Sequence, residues 1–105
     1  MMEDLLRTTL DQMWEEVMGA SSYMDKYNNY KESCPNMAVT FLEIAPVELA
    51  HYEKLKQAFK NTVDQKKARG ELVDEEILII WGFDMKRLED QAQRVKYMIE
   101  SAKRA

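Results

Sequence analysis

Three side chains in this 105-residue chain have the types and spacing to do chemistry together: Glu16, Glu48 and His51. Glu48 and His51 fall in the stretch IAPVELAHYEKL, residues 44 to 55, three positions apart and therefore on one face of a helix. Glu48 stands where the helical periodicity asks for an apolar residue. A carboxylate taken from water without a partner loses several kcal/mol of solvation, so it protonates or finds a counter-charge. A divalent metal is such a counter-charge. Two carboxylates and one imidazole suit iron, manganese or zinc, and the histidine is the only one in the chain. Tyr23, two turns after Glu16, is placed to donate a hydrogen bond to a ligand.

The elements that must bring these residues together are helices. Only three glycines and two prolines interrupt the chain, and the segments between them are rich in Glu, Lys, Leu, Met, Ala and Gln. The first helix is expected over about 3–28, with Leu6, Leu10, Met13, Val17, Ala20, Met24 and Tyr27 as one apolar stripe. Asn28 and Asn29 end it, and Ser33 or Asn36 caps the next beside Pro35. The second helix, about 35–69, has the seam Phe41, Ala45, Glu48, Tyr52, Leu55 and Phe59, closes on KKARG, and carries Pro46, which predicts a local bend. Asp74 caps a third helix over about 74–103 with the seam Ile77, Trp81, Leu88, Val95 and Met98, into which Asp84 and Gln91 also fall. In an antiparallel hairpin Glu16 and Glu48 each lie about 20 Å from the connecting turn, at roughly 1.5 Å per residue, and so meet at one level.

Composition narrows the setting. The expectation is a single all-α domain, residues 1–105, with one modest core. A net charge of −4 and the short basic cluster Lys66 to Arg69 argue against nucleic acid as a partner. The lone cysteine, Cys34, forms no intrachain disulfide and has no histidine nearby to activate it. No run of eighteen apolar residues marks a membrane span, and MMEDLLRTTLDQMW lacks the pattern of a signal peptide. A cytoplasmic protein is expected. The eight methionines read as adaptable core filler, not a copper site. Glu53, two positions after His51, points elsewhere and is expected to be solvated.

Glu16 with Tyr23 seven positions later, followed by IAPVELAHYEKL with its Glu48-x-x-His51, resembles the first helical hairpin of the ferritin-like superfamily, as in rubrerythrins and bacterioferritins. The likeness covers about residues 8 to 60. It implies a di-iron carboxylate site that oxidises Fe(II) with dioxygen or peroxide, with Glu16, Glu48 and His51 as metal ligands and as the catalytic set. The chain departs from the family in having no second Glu-x-x-His and no fourth helix. One chain then holds half a site, and a homodimer completes the four-helix bundle and holds two iron ions, manganese or zinc being alternatives. Encapsulated ferritins are similar in building the bundle from two-helix halves. Storage would need a larger homo-oligomer or residence inside a protein shell.

The segment ILIIWGF, residues 77 to 83, is apolar on every side, which predicts an interface with a second subunit through Ile77, Ile80, Trp81 and Phe83. Gly82 marks either a bend or a close helix crossing. The same segment supports a different class of function, a metal-free or structurally metallated helical module that binds a protein partner. A third reading is a retained hairpin whose site has decayed, with Pro46 displacing Glu48.

Overall fold

The computed structural model describes residues 2 to 105. They form three helices, α1 (Met2–Tyr30), α2 (Pro35–Ala68) and α3 (Glu75–Arg104), and among the described residues there are no strands. The helices lie along one long axis in a rod of 57 × 22 × 19 Å. Tyr23 stacks on Phe41 while Glu16 meets His51, so α1 and α2 run antiparallel. Phe59 stacks on Trp81 while Tyr52 meets Glu89, so α3 runs antiparallel to α2 and parallel to α1.

The helix ends follow local chemistry. Asn28 and Asn29 do not stop α1, which continues to Tyr30, and the Lys31 and Cys34 amides donate to the carbonyls of Tyr27 and Tyr30. Cys34 occupies the N-cap of α2 without a side-chain cap, so neither Ser33 nor Asn36 serves there, and Pro35 opens the helix. The end at KKARG is as expected. Gly70 adopts φ +76, its amide donates to Lys67, and the Glu71 amide donates to Lys66, which satisfies carbonyls of the last turn. Asp74 caps α3 by accepting from the Glu76 amide at 2.9 Å.

The core is one seam shared by three helices. Leu6, Leu10, Met13, Val17, Ala20 and Met24 of α1 are buried as the stripe predicts, and Tyr27 is half-buried. On α2 the seam is rotated from the expected line: Ala45, Tyr52 and Phe59 are buried, Leu49 and Val63 join them, and Phe41, Glu48 and Leu55 fall half-buried on one flank. That rotation sets Glu48 at the boundary between core and solvent. On α3, Ile77, Leu88 and Val95 are buried with Ala92 and Ile99, and Met98 is half-buried. Full burial of each large aliphatic side chain contributes about 1.5–3 kcal/mol against leaving it exposed.

The apolar segment of α3 divides by helical angle. Ile77 is buried in the chain's own core, and Trp81 is half-buried with its ring stacked on Phe59, centroids 4.2 Å apart, so both occupy the α3 seam that their spacing predicts. At 100° per residue their neighbours fan out to the opposite side: Ile80 and Phe83 are exposed, Phe83 to 73%, together with Ile79. α3 passes through Gly82 unbroken, and a Cβ at that position would meet nothing within 4 Å, so among the described residues no helix crosses closely there.

Candidate metal centre

α1 delivers Glu16 and α2 delivers Glu48 and His51 to one place, where a ligand atom from each lies within 4.8 Å of the others. His51 Nδ1 is 3.3 Å from Glu16 Oε2, and Gln12, one turn before Glu16 on α1, donates to Glu16 Oε1 at 3.1 Å. Both oxygens of Glu16 are thereby engaged. The match in level expected from counting rise along two antiparallel helices is what the structure shows. α2 also continues through Pro46, so the proline two residues before Glu48 does not remove that carboxylate from the cluster.

The electrostatics report two acids in competition. Glu48 is held above the ordinary carboxylate range, first by its hydrogen bond to Glu16, then by burial and by the Glu16 charge. For Glu16, burial is the largest influence and pushes upward, yet hydrogen bonds from Glu48, Gln12 and His51 together carry its carboxyl below the ordinary value. Glu48 is thus the acid of the pair that holds its proton more tightly, and Glu16 the one that gives it up more readily. Two carboxylates brought together this way disfavour double ionisation unless a cation enters. A divalent ion between them would satisfy both carboxylates, with a His51 nitrogen as third donor, so the residues present fit an oxygen-rich metal site.

The Glu16 side chain retains only 12% of its accessible surface, whereas His51 retains 48%. Glu16 is therefore the enclosed member of the cluster and His51 the open one. A recess of 360 Å³, lined by Gln12, Gly19, Ser22, Tyr23 and Lys26 among others, reaches both Glu16 and Glu48. Tyr23 borders it with its ring stacked on Phe41, centroids 6.0 Å apart, and the Lys26 ammonium lies over both rings. Glu15 points outward, as the sequence implied.

Two other expectations are settled elsewhere in the bundle. Glu53 is not simply solvated: it pairs with Lys56 at 2.9 Å and Lys96 at 3.3 Å, the latter on α3. Asp84 is half-buried in the groove between α1 and α3, beside Leu10, Trp14 and Ile80, and pairs with Arg87. It does not approach the Glu16 cluster. Sequence reasoning passed over Gln12, although its position four residues before Glu16 is the i,i+4 spacing at which a side-chain hydrogen bond forms on a helix. It also passed over Glu89, which accepts from the Tyr52 hydroxyl at 2.7 Å and from Lys56. Nothing local signals that bond, because its partners are 37 and 33 positions away.

Among the described residues no helix is long and apolar enough to cross a membrane. Comparison with known proteins finds no matching family model, no matching curated protein and no matching solved structure.

Proposed function

We propose that Glu16, Glu48 and His51 form half of a di-iron carboxylate site, that a second copy of the chain supplies the other half, and that the assembled site oxidises Fe(II) with dioxygen or peroxide. The carrying observation is the convergence of three donors within 4.8 Å from two helices, Glu16 on one and Glu48 and His51 on the other, with two carboxyls close enough to compete for one proton. Glu16 and Glu48 would bind and bridge iron, and His51 would complete the coordination of each ion. Three protein donors per ion leave positions open for the oxidant.

Iron held there would supply the electrons: two Fe(II) ions, giving one each, would reduce dioxygen with two protons to hydrogen peroxide, or hydrogen peroxide with two protons to water. The protein's part is to hold the carboxylates in place, through Gln12 on Glu16 and through the α1/α2 seam on Glu48. The same donor set accommodates manganese or zinc. Likeness to the ferritin-like hairpin supports this reading through Glu16, Tyr23 and Glu48-x-x-His51, and the half-exposed His51 is what a site open toward a second subunit would present.

The test is elemental analysis after anaerobic Fe(II) loading and desalting, on the native chain and on His51→Ala, with mass by light scattering on the same samples. One iron per chain in an even oligomer, lost in the variant, is the expected result. Metal-free native protein that still self-associates would remove the ferroxidase reading. A protein-interaction module is the second reading, favoured by Ile79, Ile80 and Phe83, which are exposed apolar side chains close together on α3.

A further inference from the structure

Gly19 is a residue that α1 has reason to avoid. In a helix interior glycine is less favourable than alanine because it gives up more backbone freedom, and Gly19 lies eleven residues from the end of a helix spanning Met2–Tyr30. Nor does packing within the chain demand it. A Cβ built there would approach Glu48 Oε2 at 3.9 Å, an ordinary van der Waals contact. What that Cβ would do is cover a Glu48 carboxylate oxygen from the side of the recess.

The recess gives the missing side chain a purpose. Its 360 Å³ is bordered by Glu15, Glu16 and Glu48 against a single ammonium, Lys26, so its field favours cations. Six waters at about 30 Å³ each occupy roughly 180 Å³, so a divalent ion with its hydration shell fits. Gly19 sits one turn beyond Glu16 on α1, at the point where the recess meets Glu48. We propose that Gly19 keeps open the approach by which a hydrated divalent cation reaches Glu48 and Glu16, so that side-chain size at position 19 sets the rate of metal uptake. This rests on the metal-site reading above and adds to it a route and a residue that binds nothing itself.

The experiment follows Mn(II) uptake by the full chain, read as loss of the free-ion signal in rapid-freeze electron paramagnetic resonance, alongside thermal melts. Gly19→Ala is expected to melt a few degrees higher, because alanine suits the helix better, and yet to take up Mn(II) more slowly. Such a stabilised but slower variant is not what a purely structural glycine would give. Gly19→Leu is expected to slow uptake by about tenfold or more while reaching the native final stoichiometry. Met18→Leu, next to it on α1 but outside the recess, should match the native rate. Native-rate uptake by Gly19→Leu would overturn the proposed route and leave the site standing. Loss of final stoichiometry in Gly19→Leu at an unchanged initial rate would overturn it too, by making residue 19 part of the bound site. Failure of the native chain to take up Mn(II) would overturn both the route and the site.

Discussion

Glu16 and His51 are 35 positions apart in sequence, yet His51 Nδ1 lies 3.3 Å from Glu16 Oε2 across the seam between α1 and α2. Glu48, one turn before His51, completes the cluster. That contact exists only while the hairpin holds its register, so the site and the core are one structure. A substitution at the site changes the stability of the bundle as well as its chemistry, and the two effects can have opposite signs.

Glu48→Gln is such a case. Glu48 holds its proton above the ordinary value of 4.5 in the fold, so the folded state binds more protons than the unfolded one there. Stability attributable to Glu48 is present below 4.5 and lost as pH rises through its raised folded value. Glu16, held low, acts in the other direction: its contribution is present above 4.5 and lost as pH falls through its depressed folded value. Glu48→Gln removes the like-charge conflict and should stabilise the metal-free protein at pH 7 by up to about 1 kcal/mol, with the gain gone at pH 4. Melts at the two pH values check this, and a lower melting temperature at pH 7 would contradict the competition between the two acids.

Metal should reverse that order. An ion that binds only the folded chain adds about 2.7 kcal/mol at a hundred times its Kd, which for a chain of this size corresponds to roughly 10–20 °C in Tm. Calorimetry with and without Fe(II) under anaerobic conditions should show this shift for the native chain at pH 7. It should shrink as pH falls and protons compete for the donors. His51→Ala and Glu48→Gln should show little or none of it.

Tyr52 and Glu89 join α2 to α3. Tyr52 is fully buried, and its hydroxyl donates to Glu89, which is also held by Lys56. Tyr52→Phe should lower stability by about 1–2 kcal/mol, because Glu89 keeps Lys56. Glu89→Ala should lower it more, since a buried hydroxyl is left unpaired. Burial first, and then the bond to Glu89, push the Tyr52 phenol far above its ordinary value of 10.0, so the stability it contributes is lost as pH rises above that value and the unfolded tyrosine ionises. Alkaline unfolding followed by circular dichroism should therefore begin at a different pH in Tyr52→Phe, and coincident curves would rule this out.

The apolar residues of α3 should separate into two classes. Ile77→Asp places a charge in the core and should unfold the bundle or destabilise it by more than about 3 kcal/mol. Phe83→Asp and Ile80→Asp, at exposed positions, should leave Tm nearly unchanged, within about 0.5 kcal/mol, and should reduce any association that runs through this surface. Light scattering and thermal melts on the three variants decide it; an unfolded Phe83→Asp would mean that its ring supports the chain's own core.

Much of this protein is local and therefore legible in its sequence. The three helices, the Asp74 cap, the Gly70 exit and the α1 stripe follow from capping chemistry and from a period of 3.6 residues, properties carried by residues within one or two turns of each other. Even the meeting of Glu16 with Glu48 was accessible, because rise per residue converts sequence distance from a turn into height along the bundle.

Rotation about the helix axis was not accessible. A stripe read by fours and threes drifts around the surface, and only packing against the neighbouring helices fixes which edge of it is buried. That choice placed Leu49 in the core and Glu48 on its flank, turned Ile77 and Trp81 inward while leaving Ile80 and Phe83 outside, and brought Glu53 to Lys96. Composition and helical period fix which segments are helices, and rise per residue fixes which residues share a height. The tertiary structure alone decided which faces meet, because that follows from the fit of three whole surfaces and not from any one segment.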